Sequence, residues 1–246
     1  MMLGVGRGAF KVEMERLGVP MEETRERFDE SLDVLQALLN EEEVSWDGKY
    51  YKFDPITIMP RPVRPGGPPM MMAVMNPEGI YHCTKRGFHI QTTPLAGNRQ
   101  LLHDQVGAFT RAKEKMGEAG QDLTLSLSRV SFVTQNEADR QAKLSAAEYY
   151  YSKFDNVYTG PGLIDNGMVR PLPRSQTREE LDANLLICSP QAMIDQLGPY
   201  SDLGVNRVIL SMNFGASQTE TLESIQCFAE EVMPHFSVAK TSVAAE

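Results

Sequence analysis

Six apolar residues in a row, Met70-Met71-Met72-Ala73-Val74-Met75, stand between a proline-rich stretch and an Asn76-Pro77 pair. A strand with one wet face alternates polar and apolar side chains, so an unbroken run of this length fits a parallel strand covered on both faces. Pro77 suits the first position of a helix that Gly87 ends, and Phe88 to Thr93 reads as the next strand. The alternation then repeats. Asn98 can cap a helix with Leu102, Val106, Phe109 and Met116 on one face, ended by Gly117 and Gly120. Leu123, Leu125 and Leu127 alternate with Thr124, Ser126 and Ser128 before Val130 and Phe132 shift the phase, which predicts a long strand with a bulge and then a helix from about Asn136. Ser189-Pro190 starts a helix bearing Ile194 and Leu197, Gly204 ends it, and Val208-Ile209-Leu210 is a strand. The last helix carries Leu222, Ile225 and Val232 and stops at Pro234. With a strand at Leu3, about five strands alternate with helices, the pattern of an α/β fold on a parallel sheet.

The remaining segments decorate that frame. Pro20, with Glu22 and Glu23 behind it, opens a helix on which Phe28, Leu32, Leu35 and Leu39 recur at helical spacing. Asp47-Gly48 between β-rich flanks predicts a hairpin over Val44 to Phe53, and six prolines between Pro55 and Pro69 require an extended surface run. From Phe154 to Leu185, Thr159-Gly160-Pro161-Gly162 and Pro171-Leu172-Pro173 break every period; long excursions of this kind are often lids. One domain over residues 1–237 and a flexible tail over 238–246 are expected.

Composition narrows the function classes. A formal charge of -9 and a pI near 5.1 argue against a nucleic-acid or anionic-membrane surface, which needs a basic face. Cys83, Cys188 and Cys227 are too few and too scattered for a disulfide framework or a zinc site, so no metal is expected. With no apolar run of membrane-spanning length and no signal-peptide pattern, a cytoplasmic protein is expected.

Two places invite a ligand. Gly4-Val5-Gly6-Arg7-Gly8 ends a strand, where glycines admit a ligand to the backbone and Arg7 offers a fork for a phosphate; a tight turn with a solvent-facing arginine fits as well. Ala73-Val74-Met75-Asn76-Pro77-Glu78-Gly79 ends the apolar strand at a helix start, which is either an anion site or an ordinary loop with an asparagine cap. His82, His89, His103 and His235 have no cysteine or carboxylate at ligand spacing, and structural roles are expected of them.

These places, taken with Leu17-Gly18, Arg25, the 44–53 hairpin, Pro60-Arg61-Pro62-Val63, Lys85-Arg86-Gly87, Ser189-Pro190, Gly204-Val205-Asn206 and Glu231-Val232-Met233-Pro234-His235, follow in order and spacing the luciferase-like flavin monooxygenases, which the chain resembles over nearly its whole length. The resemblance implies a TIM-type (β/α) barrel, here an incomplete one with about the last five of eight strands, because the glycine-arginine run matches the end of the fourth strand. It implies that reduced FMN from a separate flavin reductase, with dioxygen, oxygenates a small, apolar organic substrate. It also implies that Gly6, Arg7, Arg25, Ala73, Val74, Met75 and Gly79 lie against the cofactor, with Thr92 and Thr93 beside the ring. Gly79 departs from the pattern, since relatives often place a hydroxyl there. The family's catalytic histidine has no counterpart in this chain, and no catalytic residue is carried over. A deazaflavin-dependent oxidoreductase of the same fold, or a non-catalytic flavin-binding fragment, fits the same residues, and homo-oligomerisation stays open.

Overall fold

A computed structural model describes residues 1–97, 99–174 and 176–236. The expected Asn98 cap and the tail over 238–246 lie outside the described residues. The chain divides into two compact units, Met1–Ala73 with Asp155–Arg170, and Val74–Phe154 with the chain from Pro171 onward.

In the first unit β1 (Leu3–Val5) runs parallel to β4 (Met70–Ala73), Leu3 opposite Met70 and Val5 opposite Met72. Met70 and Met72 are buried, as a covered strand requires. A short helix α1 (Lys11–Arg16) follows β1. The next helix departs from expectation at its start. Pro20 precedes a single 3₁₀ turn, Met21–Glu23, closed by Glu23 N–H donating to the Pro20 carbonyl at 3.0 Å, so α2 begins at Thr24 and runs to Asn40.

The predicted hairpin forms as β2 (Val44–Asp47) and β3 (Lys52–Ile56). Glu30 of α2 holds it: its carboxylate accepts from Trp46 Nε1 at 3.1 Å and from the Tyr50 and Tyr51 N–H groups at 3.0 Å each. A Cβ on Gly48 would stand 1.9 Å from Glu30 Oε1, so a side chain there would push the carboxylate out of its present position. The proline-rich run beyond crosses the surface, with Met59 and Val63 exposed, and Arg61 Nη1 ties it to α2 by donating to the Leu38 carbonyl.

The excursion from Phe154 is more ordered than its composition implies. Helix α5 (Glu137–Tyr158) continues past Phe154, and β7 (Ile164–Asp165) and β8 (Met168–Val169) form a second hairpin. Asn166 and Gly167, at φ 48° and 78°, make the tight turn that the right-handed twist of paired strands prefers. Asn156, fully buried, closes the base: its Nδ2 donates to the Leu163 and Arg170 carbonyls at 2.9 and 2.7 Å, and its Oδ1 accepts from Leu163 N–H.

The second unit is organised by β6 (Leu125–Val133), which pairs in parallel with β5 (His89–Thr92) over Leu125–Leu127, with β10 (Arg207–Ser211) over Ser126–Val130, and with β9 (Leu186–Cys188) over Ser131–Val133. The expected bulge is absent, since these registers advance one residue at a time. The apolar phase shifts because the strand is covered on both faces at its end, where Ser131, Phe132 and Val133 are all buried. Among the described residues six strands pair in parallel, two in the first unit and four in the second, where about five were expected; β9, three residues long, was hidden by its brevity. Around them stand α3 (Pro77–Lys85), α4 (Arg99–Met116), α6 (Arg178–Asn184), α7 (Pro190–Asp202) and α8 (Gln218–Cys227). The capping box of α6, Thr177 with Glu180, places more helix inside the stretch expected to be irregular. Phe132, Leu144, Tyr151, Leu181, Ile187 and Phe214 join in one apolar cluster.

The final helix forms where it was expected, with its apolar residues covered unevenly. Leu222 and Ile225 are 58% and 46% exposed, and only Val232 is fully buried, after the helix widens into a π-turn at Phe228–Val232. A polar clamp holds α8 instead. Lys143 of α5, its side chain 6% exposed, lies 3.3 Å from Asp139 and hydrogen-bonds Glu220, which also caps α8 at Ser217. The Lys143 and Ser217 hydrogen bonds pull the Glu220 carboxyl down from 4.5 to about 2. Because the folded-state value is the lower one, the stability from ionised Glu220 is complete above 4.5 and is lost as pH falls toward about 2. Urea midpoints measured across that window should fall less steeply for Glu220→Gln than for the parent, with the variant less stable at neutral pH; parallel pH profiles would refute the clamp.

Candidate functional site

The glycine-arginine run leaves β1 at its C-terminal end, the end at which parallel α/β folds hold ligands. Gly8 has φ 88°, a conformation that disfavours a side chain, and it turns the chain into α1. Arg7 is exposed, and its Nη1 donates to Thr24 Oγ1 at 3.2 Å; the Thr24 hydroxyl, 2% exposed, donates in turn to the Met21 carbonyl at 2.7 Å. The contact brings Arg7 to the first residue of α2, next in sequence to Arg25, which is also exposed. Among the described residues neither guanidinium has a carboxylate ion-pair partner, while Arg27 nearby pairs with Glu23 and Lys49 with Glu26. Arg7, held by a buried hydroxyl, offers an exposed guanidinium fork of the kind that suits an anion. Gly6 lies beside Ala73, where an added Cβ would meet the Ala73 Cβ at 3.6 Å, an ordinary contact.

In the second unit Asn76 caps α3 as expected, its Oδ1 accepting from Glu78 N–H at 2.9 Å and Gly79 N–H at 3.2 Å. Pro77 has no N–H, and Ile80 N–H already donates to the Asn76 carbonyl. Every donor of the first turn is thus engaged, and an anion binds there only by displacing the Asn76 side chain. The departure at Gly79 has a local cause. A Cβ at that position would stand 2.9 Å from Val74 Cγ2, so no serine or threonine fits while Val74 is in place.

The strand end after β5 carries three polar or conformational irregularities. Thr92 Oγ1 is buried with no hydrogen-bond partner. Leu95, a non-glycine residue, sits at φ 55° and donates its N–H to Thr93 Oγ1 at 2.9 Å. Gln105 of α4, 0% exposed, donates through Nε2 to the Met75 carbonyl at 2.9 Å and to the Thr93 carbonyl at 3.0 Å, and its Oε1 is unmatched. Thr93 is therefore occupied with its own loop, and Gln105 was missed. The available signal was its position on the apolar stripe of α4, three residues from Leu102 and four from Phe109.

The histidines divide by environment. His89 Nδ1 accepts from Thr124 N–H at 3.1 Å and contacts Thr124 Oγ1 at 2.8 Å, and burial together with Arg207 lowers its pKa, so its role is to register β5 against the start of β6. His82 is exposed 3.8 Å from Glu78. Among the described residues no group of three or more metal-ligating side chains converges, and no helix is long and apolar enough to cross a membrane. A cleft of about 620 Å³ at the end of β6 is lined by Thr134, Gln135, Lys143, Glu220, Glu223 and Glu231. Its carboxylates outnumber the single lysine, Lys143, so the cleft disfavours a phosphate.

Comparison with known proteins gives a family and a fold. The family model described as luciferase-like monooxygenase matches residues 1–207. The oxygenase component of a flavin-dependent trigonelline monooxygenase from Acinetobacter baylyi is 25% identical over 97% of this chain and 68% of its own length. An F420-dependent glucose-6-phosphate dehydrogenase from Nakamurella multipartita is 24% identical over 94% of this chain and 67% of its own. Among solved structures, the monooxygenase RslO1 from Streptomyces bottropensis superposes with a TM-score of 0.76 at 19% identity, covering 95% of this chain and 68% of that one.

The packing at Gly79 can be tested directly. Gly79→Ser should destabilise the protein by about 1–3 kcal/mol through overpacking, and adding Val74→Ala should recover most of that loss in a thermal melt. An unchanged melting temperature for Gly79→Ser alone would show that Val74 moves aside freely.

Proposed function

The chain belongs to the luciferase-like monooxygenase family, and from that premise we propose that it is a flavin-binding oxygenase component that uses FMN and dioxygen on a small, apolar organic substrate. The observation that carries the reading is Arg7, which has no carboxylate ion-pair partner among the described residues and is held by the Thr24 hydroxyl, with the exposed Arg25 next to Thr24 in sequence. They suit the FMN phosphate, with Arg7 already oriented by a buried hydroxyl. Gly6 and Ala73 in the first unit, and Val74, Met75 and Gly79 in the second, are small or apolar and suit a flat ring and its phosphate-bearing chain. The engaged donors of α3 reduce what that loop offers an anion, so the arginines supply the larger share of phosphate affinity.

When bound, reduced FMN supplies the electrons that let one oxygen atom of dioxygen enter the substrate. The protein's residues bind, orient and exclude water. The hairpin over 163–170 exposes Leu163, Ile164 and Met168 and is anchored by buried Asn156, which suits a covering element of the kind that keeps a reacting site dry. A separate reductase delivers the reduced cofactor, as the word component implies for the trigonelline relative. The six parallel strands with their helices are read as part of a (β/α) barrel.

The F420-dependent relatives favour a second reading, hydride transfer with a deazaflavin on the same fold. Titration separates the two. FMN should quench protein fluorescence saturably, and Arg7→Ala and Arg25→Ala should each weaken FMN about tenfold, the worth of one charge-assisted contact, while leaving riboflavin binding nearly unchanged. Saturable binding of F420 with none of FMN would move the assignment to the deazaflavin. Binding of neither would overturn the cofactor reading.

A further inference from the structure

Gln105 lies in the interior, yet its polar end serves two loops rather than its own helix. Both hydrogens of its amide are directed at main-chain carbonyls, Met75 O at 2.9 Å in the loop that leads into α3 and Thr93 O at 3.0 Å in the loop that follows β5. An apolar residue on the same buried stripe would avoid the cost of an unmatched Oε1 but would remove the bridge between the two loops. The loop on the Thr93 side is itself under strain, with Leu95 at φ 55° held by Thr93 Oγ1 and with Thr92 Oγ1 buried and unmatched one residue earlier. A left-handed leucine persists only where its surroundings over-determine it, and such outliers cluster at ligand sites. Two departures from ordinary packing thus fall within four residues of one strand end, at Thr92 and Leu95, and the side chain of Gln105, itself with an unmatched oxygen, links that end to the neighbouring loop.

We propose that Gln105 is a positioning residue: its amide bridge between Met75 and Thr93 fixes the spacing between the loop assigned to the phosphate-bearing chain of the flavin and the loop assigned to its ring. The inference rests on the FMN reading above and adds what sets the geometry between the two subsites. FMN engages both parts of such a site and riboflavin engages the ring part alone, so a fixed spacing adds to FMN affinity as a tether does to a bivalent ligand. Gln105 touches neither part of the cofactor and acts through the two carbonyls.

The test is the ratio of riboflavin to FMN dissociation constants in the full chain. Gln105→Met keeps the length and removes both donors; Gln105→Asn keeps the amide but is one methylene too short to span both carbonyls, and it serves if the methionine variant does not fold. Either should lower the ratio about tenfold by weakening FMN selectively. Val106→Ala, a cavity variant one residue along α4, should lower thermal stability and leave the ratio unchanged. A Gln105 variant that weakens both flavins equally, or neither, overturns the positioning role while the FMN reading survives. If the parent chain binds neither flavin, the FMN reading fails and this inference with it.

Discussion

The parallel pairing of β6 is the constraint on which the second unit depends. One strand of nine residues serves three neighbours in succession, β5 at its start, β10 through its middle and β9 at its end. A strand so placed must be covered on both faces, which is why its apolar and hydroxyl residues do not keep one phase. Its end delivers Thr134 to the acidic cleft, and its start, registered by His89 and Thr124, sets where β5 stops and the Thr92–Gly97 loop begins. Gln105 can reach Thr93 only because that stop is fixed.

A second constraint is polar. Four polar side chains fasten loops and helices to the frame: Asn156 closes the hairpin over 163–170, Glu30 seats the 44–56 hairpin on α2, Lys143 pins α5 to α8, and Gln105 joins two strand-end loops. Asn156 and Gln105, both 0% exposed, serve main-chain carbonyls, and a group left buried without a partner costs about 1–3 kcal/mol. The fastening is complete at the hairpins. It is incomplete at the end of β5, where Thr92 Oγ1 and Gln105 Oε1 stay unmatched, and a strand end that breaks local rules is where a ligand site is expected.

The α/β pattern was legible because it rests on period and punctuation. Met70–Ala73, Asn76-Pro77, Ser189-Pro190 and Gly204 behave as the residue types dictate. The errors have physical causes. β9 is three residues long, below the length at which a period can be read. The bulge in β6 was inferred from a phase shift that two-sided burial produces equally well. The last helix could be read from Leu222, Ile225 and Val232, but hydrophobicity alone does not say that Leu222 and Ile225 are exposed and Val232 buried. The 163–170 hairpin carried a readable signal in Asn166-Gly167 that the flanking prolines and glycines obscured. For the site, sequence supplied Arg7, Arg25 and the Asn76 cap. That the cap consumes the donors of α3, that Val74 excludes a hydroxyl at Gly79, and that Gln105 bridges two loops are facts of three-dimensional proximity.

The central claim is that cofactor affinity resides at the ends of β1, β4 and β5 and not in the acidic cleft beyond β6. Hydrogen–deuterium exchange of the full chain with and without saturating FMN tests it most directly. The account predicts slowed exchange over Gly4–Gly8, Thr24–Glu26, Val74–Gly79 and Thr92–Gly97, with no change over Val133–Gln135 or Glu220–Glu231. Protection confined to the latter segments, with the glycine-arginine run exchanging as before, would contradict it.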